Sequence, residues 1–384
     1  MQRKLRFGMI GGGNGGNIGN SHRRGAQMDS LAILSAGCFT RNPQRNKEDG
    51  LFWGVPEDRI YANYEEMAEK ESQRADCIDF VSIVSPNMTH YPAAKCFLEH
   101  GINVVCEKPF TMRVEEAEEL QALAAKKGLE VCITYTYAHY PIMRECRNLI
   151  ASGAIGNIID MVVEYPQDWM ILGLANGADD YTKWIDDPAL AGNSNATAST
   201  GTHMYYLIRS MTGLKMEKVL ADFSYYPENA NLETSSRFFF QLENGAHGMA
   251  WTSSVAIGHD CTINLKIYGD KGSIEWSHND PTHLKVAYLN GPVQIFAANR
   301  NYLCEDSRNT SRIPAGHPEG FYEAFANIYR AFCTHLLDKL AGTCTDRNAY
   351  FYPHVEEGVN GVRFVNACVE SNKRGNVWVG LEEV

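Results

Sequence analysis

LRFGMIGGGNGGNIG, residues 5–19, joins a short apolar run to a turn rich in glycine and asparagine. Gly11, Gly13 and Gly16 match the spacing G-x-G-x-x-G, and a helical pattern follows the turn. In the first unit of a parallel sheet, such glycines allow a tight turn, a close approach of the backbone to a pyrophosphate and close packing of helix on strand. The helix N-terminus then faces the phosphates. The stretch therefore predicts a dinucleotide site made by Gly11, Gly13, Asn14, Gly15, Gly16, Asn17 and Ile18.

The first third of the chain repeats this strand-and-helix pattern. Further short apolar runs lie at residues 31–39, 79–86, 102–109 and 129–137. Helical patterns fill the gaps, as at residues 114–128, where glutamates come early, lysines come late and Gly128 ends the pattern. Strands that alternate with helices predict a parallel sheet with helices on both faces, and hence a Rossmann domain over residues 1–136.

The rest of the chain has a different pattern. In residues 237–254, 263–276 and 283–296, apolar and polar side chains alternate on both sides of a short glycine-containing turn. This pattern is typical of hairpins. Helical patterns follow at residues 321–340 and 354–375. Because 384 residues exceed one ordinary core, we predict an α/β chain of two domains. The second, residues 137–384, is predicted as an α+β domain with a large open, mostly antiparallel sheet for substrate binding and oligomerisation.

Composition and charge exclude several classes of protein. A formal net charge of −11 argues against a nucleic-acid partner, which needs a basic surface. No apolar run reaches the roughly 18 residues of a membrane span, so we predict no membrane partner. The 11 cysteines are scattered, without C-x-x-C or zinc spacing. We therefore predict reduced thiols in a cytoplasmic protein and no metal site.

The end of the second predicted strand bears on the choice between NAD and NADP. A site for NAD usually has an acidic residue there, which binds the ribose hydroxyls. This chain has Thr40 and Arg41 at that place and Arg45 one turn later. The two arginines fit a 2′-phosphate, whereas an arginine stacked on adenine, with Thr40 on the ribose, fits NAD. We predict that all three contact the cofactor, and both forms of the cofactor stay open.

GINVVCEKPFT, residues 101–111, places Glu107, Lys108 and Pro109 directly after a buried strand. Ligands bind at the C-terminal ends of strands in α/β sheets. In a half-buried cleft beside the positive ring of a nicotinamide, the charged form of a lysine is disfavoured, so we expect its pKa to fall toward a range useful for proton transfer. Lys108 is therefore a predicted catalytic residue.

These motifs together resemble those of the Gfo/Idh/MocA family of NAD(P)-dependent oxidoreductases. The resemblance covers nearly the whole chain, with the family's motifs in order. After the glycine turn come Ser85-Pro86-Asn87 with His90, Glu107-Lys108-Pro109, residues 135–141, residues 152–156, Gly201-Thr202-His203 and the closing stretch 352–371. The family fold, a Rossmann domain followed by an open-faced sheet, agrees with the fold predicted from the patterns.

The resemblance implies a role for each motif. Ser85, Pro86, Asn87 and His90 would line the nicotinamide half of the cofactor, and Glu107 and Lys108 would lie beside the nicotinamide ribose. Lys108 would hydrogen-bond the substrate hydroxyl that is oxidised, and His203 would accept a proton or position the substrate. The other implied cofactor residues are Gln167, Trp169 and Trp184. The implied substrate residues are Tyr135, Tyr137, Asp187 and Ser199, although packing explains the two tyrosines equally well.

Two positions depart from the family pattern. Many members have an aspartate four residues before the histidine, where this chain has Ser199, and an arginine after the tryptophan, where it has Ile185. A serine cannot take a proton at neutral pH. Either Lys108 and His203 suffice, or another carboxylate such as Asp187 or Asp168 substitutes, or the activity has changed.

The resemblance implies hydride transfer between a nicotinamide and a secondary hydroxyl of a small carbohydrate or polyol: a sugar, a cyclitol or a glycoside, for example a glucoside oxidised at C3. The alternatives are a redox-assisted glycosidase that keeps its NAD bound, and a non-catalytic regulator that binds the cofactor or a sugar. Residues 237–251 carry apolar side chains on both faces of a predicted strand pair. This predicts burial of the sheet in a homodimer or homotetramer.

Overall fold

The computed structural model describes residues 3–177 and 184–384. Two compact units form, one from Met1–Thr134 with Phe321–Val359 and the other from Tyr135–Gly320 with Asn360–Val384. The sequence analysis placed a single boundary at residue 136. The structure differs in that the chain returns to the first unit at Phe321, because the apolar face of a long helix there packs into the core of that unit.

The first unit is built on a parallel sheet of five strands, in the order β2-β1-β3-β4-β5. The strands are β1 Leu5–Gly11, β2 Ala32–Cys38, β3 Phe80–Val84, β4 Asn103–Cys106 and β5 Val131–Ile133. Its helices are α1 Asn17–Met28, α2 Pro43–Phe52, α3 Tyr64–Ser72, α4 His90–Glu99 and α5 Val114–Lys127. Every residue of β3 is buried, as expected for a central parallel strand with helices on both faces.

The strand order of the first unit places a crevice at the end of β1. Gly37 of β2 forms a parallel bridge with Ile60 at the edge of the sheet, in the place of a further strand. The chain leaves β1 toward β2 on one side and reaches β3 on the other, so the order reverses between β1 and β3. Open α/β sheets bind their ligands at this reversal, beyond the C-terminal ends of the strands. Gly11 and Val84 are the last residues of these two strands.

Helix α11, Phe321–Ala341, completes the core of the first unit. Phe325, Ile328 and Phe332 are at most 1% exposed and belong to the same core cluster as residues of β1 and β3. Helix α1 approaches α11 closely at Gly25, where a Cβ atom would lie 2.9 Å from Cβ of Phe325. The missing side chain of Gly25 therefore lets the two helices pack against each other.

The second unit is built on a sheet of nine strands, in the order β13-β12-β11-β10-β6-β9-β8-β7-β14. Strands β6 and β9 are parallel, and the other neighbours are antiparallel, which confirms the predicted mostly antiparallel sheet. The strands are β6 Ile158–Pro166, β7 Met216–Ser224, β8 Ser235–Leu242, β9 His247–Ser253, β10 Asn264–Gly269, β11 Gly272–Ser277, β12 Asp280–Tyr288, β13 Gln294–Ala297 and β14 Val379–Gly380.

Helices cover one face of this sheet. Residues of β8 alternate between the two faces: Phe238 and Phe240 are buried, whereas Phe239 is 54% exposed. The helices are α6 Pro141–Ala151, α7 Trp169–Ala175, α8 Pro188–Ala191, α9 Thr202–Thr212, α10 Glu305–Thr310 and α12 Val355–Lys373, of which α12 begins in the first unit. In residues 3–177 and 184–384, no helix combines the length and the apolar character that a membrane span requires.

We predict that Gly25→Val destabilises the protein by about 2–3 kcal/mol, because the larger side chain overpacks the contact between α1 and α11. Met28→Val places the same residue type in the same helix at a position that is 38% exposed. This control should cost less than about 1 kcal/mol. Urea unfolding of the two variants measures both values. Equal values would contradict a close contact at Gly25.

Candidate active site

The glycine turn lies at the reversal point of the first sheet. Gly11 has φ +72°, and a Cβ atom on it would lie 2.4 Å from the carbonyl oxygen of Val84. A Cβ atom on Gly13 would lie 2.2 Å from Oδ2 of Asp49. Glycine is therefore required where β1, β3 and α2 meet the turn.

Helix α1 begins directly after the turn, with Gly16 as its N-cap residue. A Cβ atom on Gly19 would lie 1.8 Å from the carbonyl oxygen of Gly12, so the first turn of α1 rests on the backbone of the glycine turn. Among the described side chains, none caps this helix end, and its first backbone N–H groups are donors for an anion. Gly15 is exposed, and a Cβ atom on it would lie 3.7 Å from Nη2 of Arg45. This part of the turn fits the diphosphate of a dinucleotide; the side chain of Asn17 lies outside the described part.

Helix α2, which follows β2, brings Arg45 to the glycine turn. Its Nη2 donates to the carbonyl oxygen of Asn14 at 3.2 Å, and its side chain is otherwise largely exposed. Arg41 is exposed at the start of the following loop, and Oγ1 of Thr40 accepts a hydrogen bond from the Asn42 backbone at 3.4 Å. Asp49 is the acidic residue that packs against Gly13 of the turn. Burial raises the pKa of Asp49, and the charge of Arg45 lowers it. Predicted contacts of Thr40, Arg41 and Ile18 with the cofactor stay predictions.

Glu107, at the end of β4, is held by donors from two other elements. Its Oε1 accepts from Nε2 of His22 at 2.8 Å and from Oγ1 of Thr134 at 2.6 Å. Its Oε2 accepts from the backbone N–H of Lys108 at 3.1 Å. Burial alone would raise the pKa of Glu107, but the interactions with His22, the charge of Lys108 and the hydrogen bond from Thr134 lower it to about 2. A buried carboxylate is thus kept ionised beside the half-buried Lys108.

His90 braces the two loops that follow β3 and β4. Its side chain is buried, with Nε2 at 2.8 Å from the carbonyl oxygen of Ser85 and Nδ1 at 2.8 Å from that of Pro109. Burial lowers the pKa of His90, and the two carbonyl oxygens oppose this. His90 therefore ties the Ser85-Pro86-Asn87 loop to the Glu107-Lys108-Pro109 loop. Direct contact of these loops with the nicotinamide stays a prediction.

In the second unit, His203 lies within a group of tyrosines. It is the second residue of α9 and is 8% exposed. The rings of Tyr137, Tyr135 and Tyr165 lie edge-on to its imidazole, with centroid distances of 4.8, 6.0 and 6.3 Å. Tyr135 is 1% exposed and stacks on Tyr206 at 4.8 Å, so its ring belongs to the core of the unit. These contacts hold the imidazole from several sides.

Polar atoms converge next to this group. The hydroxyls of Tyr137 and Tyr165 form a short hydrogen bond with each other. The Sγ atom of Cys261 lies 3.4 Å from the Tyr137 hydroxyl, 3.1 Å from the Tyr165 hydroxyl and 3.5 Å from Nε2 of Gln167. Burial and the neighbouring thiol raise the pKa of both tyrosines. Burial thus keeps both phenols neutral, and the exposed Cys261 lies between this buried polar cluster and solvent.

Ser199 lies in a π-helical turn, Thr197–Gly201, that continues into α9. Glu233 anchors the start of this turn, since its buried carboxylate accepts from Oγ of Ser194 at 2.6 Å and from the backbone N–H of Thr197 at 2.9 Å. Burial raises the pKa of Glu233, and these hydrogen bonds oppose the rise. Irregular helical turns of this kind often occur at functional sites.

The two carboxylates considered as substitutes for the missing aspartate have local partners. Asp187 caps α8, and its Oδ1 accepts from the backbone N–H of Ala189 at 2.9 Å. Oδ2 of Asp168 accepts from the backbone N–H of Gly258 at 3.1 Å. Trp169 and Trp184 pack against a small apolar cluster that contains Ile185. The apolar Ile185 thus fits its surroundings, and the predicted ligand contacts of Asp187, Ser199, Trp169 and Trp184 stay predictions.

Sequence reasoning missed several residues of these groups. His22 and Thr134 hydrogen-bond Glu107, and Tyr329 hydrogen-bonds His22. Tyr165 and Cys261 lie beside Tyr137. These residues are far apart in the chain, and hydrophobic periodicity carries no signal for them. The stretch NIGNSHR, residues 17–23, offered the one available signal, a histidine one and a half turns into a helix that follows the glycine turn.

We predict that Gly13→Ala weakens the binding of NADH about tenfold or more, because a glycine at this place in the motif lets the backbone approach the diphosphate closely. Since the new methyl group also clashes with Asp49, the double variant Gly13→Ala/Asp49→Ala separates the two effects. It should regain thermal stability without regaining affinity. Fluorescence titration with NADH measures affinity, and full recovery in the double variant would contradict a cofactor role for Gly13.

Comparisons with known proteins identify a family for both parts of the chain, the cofactor-binding Rossmann part and the part with the large sheet. Residues 5–135 match the family model described as "Oxidoreductase family, NAD-binding Rossmann fold", and residues 143–275 match the GFO/IDH/MocA C-terminal domain. The chain is 35% identical over 382 residues to "Uncharacterized oxidoreductase YfiI" of Bacillus subtilis (strain 168). The aligned region covers 99% of this chain and 97% of the relative.

Solved structures give the same result. An inositol dehydrogenase homolog complexed with NAD+ from Azotobacter vinelandii has a TM-score of 0.95 and 34% identity, over 98% of this chain and 97% of that chain. The complex with NADH and myo-inositol has a TM-score of 0.92 and 33% identity, over 98% of each chain. This chain therefore belongs to the Gfo/Idh/MocA family and is an NAD(P)-dependent dehydrogenase.

Proposed function

We propose that this protein transfers a hydride between a secondary ring hydroxyl of a cyclitol or sugar and its nicotinamide cofactor. The observation that carries the proposal is the group formed by His203, the two tyrosine hydroxyls, Gln167 and Cys261 in a chain of this family. Neutral hydroxyl and amide groups suit a ligand that is rich in hydroxyls. The solved homolog with NADH and myo-inositol supports a cyclitol as the first compound to test.

The proton of the oxidised hydroxyl needs an acceptor on the protein. A nicotinamide cofactor, held by the glycine turn and by the loops after β3 and β4, would supply the acceptor for the hydride of the carbinol carbon. We assign the hydroxyl proton to Lys108 as its neutral amine, with His203 as the group that positions the hydroxyl or takes the proton. The O–H and C–H bonds then break and a carbonyl forms, so NAD(P)+ and the alcohol become NAD(P)H, a ketone or lactone and a proton. The ionised Glu107 stabilises the positive charge that Lys108 acquires.

The test is a panel of compounds with the absorbance of NADH or NADPH as the readout. It contains myo-inositol and other cyclitols, free sugars, and glucosides that report oxidation at C3. Rapid reduction of cofactor by a cyclitol or sugar supports the proposal. Release of aglycone without net reduction of cofactor would identify the redox-assisted glycosidase instead. Tight binding of a sugar or cofactor with no chemistry would identify a regulator.

We predict that Lys108→Ala lowers kcat on the best compound of this panel by about 10²–10⁴-fold, because it removes the proton acceptor. Binding of NADH, measured by fluorescence, should change little. Lys126→Ala, which removes an exposed lysine from α5, is the matched control and should keep normal turnover. Normal turnover of Lys108→Ala would remove Lys108 from the mechanism.

We also propose that the exposed face of the large sheet packs against a second copy of the chain, in a homodimer or homotetramer. Phe239 and Met249 form a cross-strand pair on this face and are 54% and 50% exposed. Leu220 and Val162 extend the row on either side. A contiguous apolar row on an open sheet marks an interaction surface. We place the protein in the cytoplasm, where its 11 free cysteines would stay reduced.

We predict that Phe239→Glu shifts the protein to a smaller species in sedimentation velocity, because a charge buried in an interface between copies lacks a partner. Phe52→Glu introduces the same charge at a residue of α2 that is 68% exposed, and it should leave the species unchanged. A monomer in the unmodified protein, or an unchanged assembly in Phe239→Glu, would contradict the proposed interface.

A further inference from the structure

We propose that His22 is a positioning residue of this enzyme: it fixes the ionised Glu107 carboxylate and, through it, the backbone at Lys108. The inference concerns the cofactor half of the site. It does not depend on which alcohol is oxidised.

A continuous chain of buried hydrogen bonds carries the proposal. Ser82 and Tyr329 are joined by their hydroxyl groups at 2.8 Å, and the Tyr329 hydroxyl lies 2.6 Å from Nδ1 of His22. Nε2 of His22 lies 2.8 Å from Oε1 of Glu107. A carboxylate can only accept, so Nε2 carries the proton of this hydrogen bond. Ser82, His22 and Tyr329 are at most 1% exposed, and Glu107 is 9% exposed.

The elements that supply this chain explain its consequence. His22 lies on α1, the helix whose N-terminus faces the predicted diphosphate position. Glu107 lies at the end of β4, and its Oε2 accepts from the backbone N–H of Lys108. Tyr329 lies on α11, which comes from the part of the chain beyond residue 320. The helix that receives the cofactor is therefore linked through two hydrogen bonds to the backbone of the proposed proton acceptor.

The orientation of the imidazole is fixed on both of its sides. Its ring lies edge-on to Phe325 at a centroid distance of 5.0 Å and to Tyr329 at 5.9 Å. Both nitrogens have partners at hydrogen-bond distance, so a flipped ring would lose both bonds. Because the imidazole of His22 already has one orientation, little conformational entropy is lost when it positions Glu107.

The link predicts a pH effect on cofactor binding. The titratable groups that face Glu107 are His22 from α1, Lys108 beside it, His90 from α4, Tyr329 from α11 and Cys106 from β4. With its donors in place, the pKa of Glu107 is about 2, so the carboxylate is ionised at all working pH values. Loss of a donor removes one of the effects that oppose burial, so it raises this pKa. Cofactor affinity should then fall as the pH is lowered, because Glu107 becomes neutral.

Two variants of His22 separate this role from packing. The amide nitrogen of glutamine reaches about as far from the backbone as Nε2, and that of asparagine about as far as Nδ1. His22→Gln can therefore donate to Glu107, whereas His22→Asn can donate only toward Tyr329. Both remove the imidazole from the core, so a merely structural residue would respond alike to both. Thr134→Val removes the other donor to Oε1 of Glu107 with almost no change in shape, and it serves if His22→Asn does not fold.

The experiment titrates each full-length variant with NADH between about pH 5 and pH 8, with thermal unfolding alongside. We expect His22→Gln to bind within about threefold of the unmodified protein at every pH. His22→Asn and Thr134→Val should each lose affinity progressively toward acid, by about tenfold or more at the lowest pH. Equal profiles for His22→Gln and His22→Asn, or a flat profile for Thr134→Val, would overturn the proposal. No binding by the unmodified protein would count against the cofactor site itself, and inactivity on alcohols would affect only the proposed substrate.

Discussion

The missing side chains of Gly11, Gly12 and Gly19 permit the contact on which the cofactor half of the molecule depends. Because these positions lack Cβ atoms, the end of β3 and the first turn of α1 can pack directly against the backbone of the glycine turn that follows β1. This contact places the N-terminus of α1 over the end of the sheet. The same helix then presents His22 to Glu107 and Gly25 to α11. One short helix therefore combines the anion site, a buried polar contact and the packing of a distant segment.

The buried Glu107 carboxylate, beside the proposed proton acceptor Lys108, carries a large desolvation cost, and hydrogen bonds within the first unit offset this cost. Donors reach Glu107 from α1, from the residue after β5 and from the backbone at Lys108. The hydroxyl of Tyr329 then satisfies the remaining nitrogen of His22. Such a network is stabilising only when every member is satisfied, because an unpaired group in a low dielectric is costly. The return of the chain at Phe321 therefore supplies both apolar packing and a member of the polar network.

The two faces of the large sheet in the second unit have different surroundings. Its inner face holds the tyrosine group around His203, where burial keeps the phenols neutral. The outer face leaves the Phe239 and Met249 row open to solvent. The departures at Ser199 and Ile185 lie in the same unit, in an anchored π-helical turn and an apolar cluster. Ile185 fits its apolar surroundings, and Glu233 anchors the turn that contains Ser199.

The glycine spacing, the apolar runs and the hairpin turns were enough to predict the parallel sheet, the antiparallel sheet and the dinucleotide site, because the patterns that mark strands, helices and turns are local in the chain. Glu107-Lys108-Pro109 could likewise be placed at a strand end. The membership of residues 321–359 in the first unit could not be predicted, since an amphipathic helix does not specify which core it covers. The partners of Glu107 and of Tyr137 were also inaccessible, because His22, Tyr329, Tyr165 and Cys261 converge through packing of elements far apart in sequence. Periodicity reports which face of an element is buried, and only the folded chain brings together the polar atoms that meet there.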